Sequence, residues 1–197
     1  MFSNSHITIS TATDIPAIKD LLNLAYRGEA ASRTWTSEAH LISGDTRTDE
    51  EELRNILKQP GSVFLKYCAD KQTIEGCVNL QQQDDKIYLG MLSVSPLRQG
   101  EGIGKKLLKA AEEFALSKNC VSIYMTVISL RYELIDWYKR HGYVDTGERE
   151  KFIENGISGK HLQPLEFMVL QKSLYNNYLL FSSADNHHSF LNSTYYC

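Results

Sequence analysis

A glycine-rich loop between a predicted strand and a predicted helix constrains the fold of this chain more than any other feature. The almost continuous apolar run at 87–94 is typical of a strand that is buried on both faces. Residues from 103 onward have the periodicity of an amphipathic helix. Glycines at 100, 102 and 104 lie between them and allow a tight turn close to a ligand. Because the first amides of a helix have no acceptor within it, the loop predicts an anion site, most naturally for phosphate.

The spacing of these glycines excludes two familiar phosphate-binding loops. A P-loop has four residues between its first glycine and a Gly-Lys pair, whereas three residues separate Gly100 from Gly104. A dinucleotide fingerprint has glycines at relative positions 1, 3 and 6, whereas this loop has them at 1, 3 and 5. The loop therefore binds its anion by some other arrangement.

Hydrophobic periodicity in the rest of the chain predicts a mixture of helices and strands. Apolar stripes predict further helices over about 13–26, 48–57 and 129–141. Thr48 and Glu51 resemble a capping box at the start of the second. Strand patterns occur at 6–10, 63–69, 73–82, 121–128, 145–152 and 165–174. Short turns imply an antiparallel meander before the glycine loop, and the strand-helix-strand order across the loop implies a right-handed parallel crossover.

The residues around the glycine loop match a third kind of anion site. Gln99, Gly102 and Gly104 follow a strand that ends in Leu-x-Val-x-Pro. This order resembles the pyrophosphate-binding motif of the GNAT superfamily of acetyl-CoA-dependent N-acetyltransferases. The resemblance implies that acetyl-CoA is the cosubstrate and that no metal is needed.

A second motif resembles another hallmark of the same family. Trp137 and Tyr138 form an aromatic-Tyr pair four residues before Gly142 and Tyr143. The resemblance covers roughly residues 6–174 and implies an α+β (mixed α/β) GNAT-like fold. This fold has a central mixed, mostly antiparallel sheet of about seven strands, splayed between strands 4 and 5 and flanked by about four helices.

The resemblance also implies which residues hold the cosubstrate. They are Leu92, Ser93, Val94, Gln99, Gly100, Glu101, Gly102, Ile103, Gly104 and Lys105. The loop would bind the pyrophosphate, while 92–94 would pair through their backbone with the pantetheine arm. Many family members carry Asn seven residues before the tyrosine, where this chain has Arg131. Arg131 is expected to meet either a coenzyme phosphate or a substrate carboxylate.

Catalytic roles follow from the same resemblance. Tyr138 matches the family's usual general acid, which donates its phenolic proton to the coenzyme A thiolate. The alternative is a core role, because the chain has 11 tyrosines. The predicted strand at 87–94 contains no Asp or Glu, so Glu38, Glu133 and Glu166 are the candidates for the general base. Each of them has a surface or salt-bridging role as its alternative.

Residues 27–48 lack regular periodicity, and a loop of that length in a compact domain is usually functional or disordered. In the GNAT layout this region lies over the acceptor site. Trp35 is therefore expected either to contact the substrate or to anchor the loop by packing.

Length and composition limit the remaining possibilities. The 197 residues suit an N-acetyltransferase domain over 1–174 and an irregular tail over 175–197, whose composition is typical of disorder. A net charge of −3 argues against nucleic-acid or anionic-membrane partners. The sequence shows no leader and no membrane-spanning run, which favours a cytoplasmic location. Four cysteines without a CxxC pair indicate free thiols.

Together these observations predict an N-acetyltransferase that moves an acetyl group from acetyl-CoA to a primary amine of a small molecule. The amine would attack directly in a ternary complex, and Tyr138 would protonate the coenzyme A thiolate. The alternative is a non-catalytic acyl-CoA-binding or sensory domain, because the predicted strand carries no carboxylate. The chain is expected to be a monomer or a homodimer.

Overall fold

The computed structural model describes residues 2–27, 37–70, 72–154 and 156–174 of the chain. The helices are α1 (Ile15–Arg27), α2 (Glu50–Lys58), α3 (Ile103–Ser117) and α4 (Tyr132–Arg140). The strands are β1 (Ile7–Ile9), β2 (Ile42–Ser43), β3 (Ser62–Tyr67), β4 (Gly76–Gln83), β5 (Lys86–Val94), β6 (Ser122–Ile128), β7 (Val144–Lys151), β8 (Lys160–His161) and β9 (Glu166–Ser173). Trp35 and the tail at 175–197 lie outside the described residues, so their roles and the boundary at 174 stay predictions.

Seven of these strands form one sheet in the order β1-β3-β4-β5-β6-β9-β7. All its neighbouring strands are antiparallel except β5 and β6, which are parallel because α3 crosses between them. The predicted meander and the predicted crossover are therefore confirmed, as is the mostly antiparallel, mixed α+β fold. The sequence analysis missed β2 and β8, which form a separate sheet of two-residue strands.

The predicted splay lies between β5 and β6, the fourth and fifth strands across the sheet. The two strands pair only from Lys86 to Tyr88, although β5 continues to Val94. On its other side, β5 pairs with β4 through an irregularity: between two successive pairs of partner residues, β5 has one residue more than β4. Met91 lies in this irregular part of β5 and has a φ of +52°. A bulge of this kind bends its strand, and it turns β5 away from β6.

Helices cover both faces of the sheet. On one face, Leu107 of α3 packs with Leu65 and Val78. On the other face, Ile18 of α1 and Leu53 of α2 enclose Phe64. These assignments follow the alternation of side chains along the strands.

Two local predictions require correction. The strand at 87–94 is not buried on both faces throughout, because its cleft-lining residues Leu92 and Val94 are only half-buried where β5 leaves β6. Helix α2 is capped by Asp49, whose side chain accepts a hydrogen bond from the Glu52 amide at 2.8 Å, and not by Thr48. The Thr48 hydroxyl instead donates to the Glu52 carboxylate at 2.6 Å.

Across the described ranges, none of the helices combines the length and the apolar character needed to cross a bilayer.

The small sheet of β2 and β8 depends on a glycine. Gly159 has a φ of +90°, and a Cβ atom at this position would lie 1.8 Å from the carbonyl oxygen of Ser43. Gly156 has a similar φ of +78°, but a Cβ atom there would have nothing within 4 Å. A side chain at either position would strain the backbone, but only a side chain at Gly159 would also clash with a neighbouring strand.

Gly159→Ala should lower the free energy of unfolding by at least about 3 kcal/mol, because the added methyl group would push β8 away from β2. Gly156→Ala, the matched control, should cost only about 1 kcal/mol through its left-handed backbone. Urea unfolding of the three proteins measures both values. Equal losses in the two variants would contradict the pairing of β2 with β8.

Candidate active site

A cleft of about 290 Å³ opens beside the splayed part of β5. It is bounded by the end of α1, by the amino terminus of α3 and by α4. Its lining residues are Tyr26, Leu92, Val94, Arg98, Gln99, Gly100, Gly102, Ile103, Gly104, Lys105, Leu134, Trp137 and Tyr138. Thus the two motifs, separated by more than 30 residues in the sequence, meet in one cavity.

The amino terminus of α3 forms one wall of this cleft. Gly102 is its N-cap with a φ of +75°, and no side chain in the described ranges caps the helix. The first amide with a helical acceptor is that of Lys106, which donates to the Gly102 carbonyl at 3.0 Å. The three preceding amides lack helical acceptors, so the positive end of the helix dipole lies open to the cleft. This arrangement suits a bound anion.

The glycines of the loop serve different purposes. Gly100 and Gly102 both have positive φ, and a Cβ atom on either would have nothing within 4 Å. They are therefore needed for the backbone conformation, and the space above them is open. A Cβ atom on Gly104 would lie 3.5 Å from the ring of Trp137, an ordinary van der Waals contact, so this position packs against α4 without requiring a glycine.

Two of the ten predicted cosubstrate residues do not line the cleft. Ser93 is only 1% exposed and belongs to the buried face of β5. The Glu101 carboxylate instead accepts two hydrogen bonds from the Arg98 guanidinium, at 2.8 and 2.7 Å, which lowers its pKa. Arg98 also pairs with Glu75. The side chain of Ser93 therefore lies away from the cleft, and the carboxylate of Glu101 is engaged by Arg98.

Tyr138 lies on the face of α4 that lines the cleft, together with Leu134 and Trp137. Its ring is 5% exposed and meets the rings of Trp137 and Tyr143 edge-on, with centroids 5.0 and 5.7 Å away. Burial raises the pKa of Tyr138 well above that of an ordinary phenol. No side chain or carbonyl of the described ranges accepts a hydrogen bond from its hydroxyl, which is therefore a protonated donor available to a ligand.

Tyr26 is a cleft residue that the sequence analysis missed. It ends the apolar stripe of α1, and nothing in the local sequence distinguishes it from a core residue. Its hydroxyl donates to the Leu92 carbonyl at 3.4 Å, which ties α1 to the splayed part of β5. Burial, reinforced by the nearby charge of Glu38, raises the pKa of Tyr26 to about 12.

Glu38 and Arg131 form an ion-pair cluster beside the cleft, outside its lining. One Glu38 oxygen lies 3.1 Å from a guanidinium nitrogen of Arg27, and the other lies 3.8 Å from Arg131. The Arg27 guanidinium also donates to the carbonyl of Ser158 at 3.0 Å. The amide of Glu38 donates to the Tyr26 carbonyl at 3.3 Å, which places the cluster next to that tyrosine.

The other two candidate bases lie on the protein surface. Glu133 is exposed on α4, and Glu166 is exposed at the start of β9. Neither carboxylate lines the cleft.

The sequence model of the acetyltransferase (GNAT) family matches residues 18–143. This chain belongs to the GNAT acetyltransferase family. Its matched region contains both motifs, Tyr26, Glu38 and Arg131.

Two curated relatives of this GNAT protein carry substrate names. A thialysine N-epsilon-acetyltransferase of Sus scrofa is 33% identical over 79 residues, which are 40% of this chain and 46% of the relative. An N-acetylaspartate synthetase of Xenopus tropicalis is 27% identical over 126 residues, which are 62% of this chain and 46% of the relative. The chain thus matches less than half the length of either relative.

Solved structures share the fold. The yncA protein of Salmonella typhimurium, a putative acetyltransferase described with its cofactor acetyl-CoA, superposes with a TM-score of 0.60 at 19% identity. The superposition covers 88% of this chain and 96% of that structure. At this level of identity the likeness establishes the fold of the two proteins.

Glu38→Gln should destabilise the protein by about 3 kcal/mol, because Arg27 and Arg131 would remain buried without their shared carboxylate. Glu133→Gln is the matched control and should change the free energy of unfolding by less than about 0.5 kcal/mol. Urea unfolding measures the difference. If Glu38→Gln were as stable as the wild type, the ion-pair cluster would not hold these segments together.

Proposed function

We propose that this chain moves an acetyl group from acetyl-CoA to a primary amine of a small molecule, by direct attack in a ternary complex. One observation carries the proposal. A single cleft brings together the uncapped amino terminus of α3, the unpaired edge of β5 and the hydroxyl of Tyr138. Membership of the acetyltransferase family supports it.

The described residues fit the donor molecule. The amides of residues 103–105 and the side chain of Lys105 complement the negative charge of a pyrophosphate. The open space above Gly100 and Gly102 gives a phosphate room to approach the backbone. The edge of β5 that β6 leaves free offers hydrogen bonds to the amides of a pantetheine arm, as an added strand would receive them.

When bound, acetyl-CoA supplies the activated thioester. A backbone N–H at or near Val94 would donate to the thioester carbonyl and stabilise the charge that develops on its oxygen. Tyr138 would give its phenolic proton to the departing sulfur as the carbon-sulfur bond breaks and the carbon-nitrogen bond forms. Tyr138 would then regain a proton from the newly acylated nitrogen, so protons balance over the turnover.

Glu38 fits an orienting role better than that of a general base. Both of its oxygens face guanidinium groups, and its carboxylate does not line the cleft. We infer that Glu38 holds the Arg27 side chain and the Tyr26 backbone in position. The acceptor would then enter as the neutral amine or lose its proton to water.

The names of the relatives suggest which acceptors to test first. One acts on the ε-nitrogen of thialysine and the other forms N-acetylaspartate. Primary amines of small amino acids therefore form the first panel. Incubation with acetyl-CoA, and detection of free coenzyme A with a thiol reagent, should reveal turnover with at least one of them.

A non-catalytic acyl-CoA-binding or sensory domain is the second candidate. It is favoured by the cleft itself, because none of its lining residues in the described ranges is a carboxylate. Such a domain would bind acetyl-CoA in calorimetry and release no coenzyme A with any amine at any pH. Location in the cytoplasm, freedom from nucleic-acid and membrane partners, and a monomeric or dimeric state remain predictions.

Tyr138→Phe should lower kcat by a factor of about 100 to 10,000, because the departing sulfur loses its proton donor. The affinity for acetyl-CoA should be nearly unchanged. Tyr143→Phe is the matched control: its hydroxyl is buried without a described partner beside the same ring, and its loss should leave kcat close to that of the wild type. Equal loss of affinity and turnover in Tyr138→Phe would mark a packing role.

The pH profile gives a second readout for Tyr138. A pKa raised by burial keeps the phenol protonated to higher pH, so the wild-type rate should not fall as the pH approaches the ordinary tyrosine value of 10.0. A descending limb well below that value, absent from Tyr138→Phe, would contradict the environment assigned to this residue.

Gly102→Val should weaken acetyl-CoA binding at least about tenfold, equivalent to ~1.4 kcal/mol, because its side chain would fill the space above the loop. Gly147→Val is the matched control, since Gly147 lies in β7 with a φ of +86° and nothing within 4 Å of a Cβ atom. Calorimetry on both variants separates the loss of the site from backbone strain. Unchanged affinity in Gly102→Val would refute the assignment of the loop.

A further inference from the structure

A half-buried arginine, Arg47, lies over one of the aromatic rings of the cleft. The carbon at the centre of its guanidinium is 5.4 Å from the ring centroid of Tyr26. No carboxylate in the described ranges forms an ion pair with Arg47, in contrast to Arg27, Arg98 and Arg131. Among the described residues Arg47 is therefore a guanidinium without an ion-pair partner, and it lies against a residue that lines the cleft.

The backbone beside this arginine is held in place. The side-chain oxygen of Asn23 accepts hydrogen bonds from the amides of Arg47 and Thr48, at 2.7 and 3.1 Å. The side-chain nitrogen of Asn23 donates to the Thr48 carbonyl at 3.0 Å. Because α1 carries both Asn23 and Tyr26, the same helix positions the tyrosine ring and the backbone of the arginine.

The surroundings of Arg47 distinguish this side of the cleft from the pyrophosphate loop. Gly104 of the loop lies beside Trp137, whereas Arg47 lies over the ring of Tyr26, whose backbone carbonyl accepts a hydrogen bond from the Glu38 amide. A guanidinium that is partly desolvated and stacked on a ring is pre-organised for a planar anion, which it can bind through two parallel hydrogen bonds. A carboxylate has this geometry.

We propose that the acceptor amine also carries a carboxylate, and that Arg47 binds this carboxylate beside Tyr26. This assignment rests on the proposed acetyl transfer and names the class of its acceptor. The amine would thereby be oriented toward β5, to which the Tyr26 hydroxyl is bonded through the Leu92 carbonyl. Arg47 is a specificity residue and takes no part in proton transfer.

The test compares acceptors that differ only at the carboxylate. Lysine is paired with lysinamide and β-alanine with β-alaninamide, and each is titrated by calorimetry into the full chain saturated with coenzyme A. The wild type should bind at least one acid about tenfold or more tightly than its carboxamide, as expected for a charge-assisted pair. Comparison of this ratio between variants cancels the differences in amine basicity.

Three variants complete the experiment. Arg47→Met should reduce the ratio to about one. Arg47→Lys should retain part of it, because the positive charge remains but the planar guanidinium that can form two parallel hydrogen bonds is lost. Lys109→Met, on the exposed face of α3, is the control and should leave the ratio unchanged. The inference is overturned if no acid binds more tightly than its carboxamide, if Arg47→Met keeps the wild-type ratio, or if Arg47→Met weakens coenzyme A binding instead.

Turnover is measured separately, so that the two proposals fail independently. An acid preference in binding without release of coenzyme A from acetyl-CoA would refute the transferase and leave Arg47 as the anion-binding residue of a sensory site. Equal kcat/KM values for acids and carboxamides would support the transferase and overturn the role of Arg47.

Discussion

The bulge at Met91 is the constraint on which the rest of the site depends. One additional residue in β5 turns the strand away from its parallel neighbour after Tyr88. Backbone groups that β6 would otherwise bind are left at the edge of an open cleft, where an unpaired donor or acceptor costs about 1–3 kcal/mol when it is removed from water. A ligand that lies along β5 can satisfy these groups. The irregularity in the sheet thus creates both the space and the hydrogen-bonding edge.

Helices complete the cleft around that edge, and each supplies a different property. The amino terminus of α3 brings positive potential without any charged cap. Helix α4 brings a buried phenol whose proton is retained because a phenolate would be poorly solvated there. Helix α1 brings Tyr26, which is bonded to the Leu92 carbonyl and fixes the distance between α1 and β5.

The ion pairs of Glu38 join segments that are far apart in the chain. Arg27 ends α1, Arg131 precedes α4, and the carbonyl of Ser158 belongs to the connection between β7 and β9. Buried ion pairs of this kind add little net stability, because desolvation offsets most of the attraction between the charges. They do fix relative positions, since each guanidinium requires acceptors in defined directions. The cluster therefore sets the shape of the cleft beside Tyr26.

The sequence by itself determined the features that local chemistry dictates. The start of α3 and the period of the apolar stripes in the helices depend on neighbouring residues, and they were predicted correctly. The glycine loop and Tyr138 were found for the same reason, because each lies in a short contiguous motif. By contrast, Ser93 and Glu101 could not be excluded from the lining, since their side-chain directions depend on strand pairing and on Arg98. Only the tertiary structure placed Tyr26 in the lining of the cleft and Glu38 and Arg47 beside that tyrosine, because packing across a bent sheet, and not sequence spacing, decides which distant side chains meet.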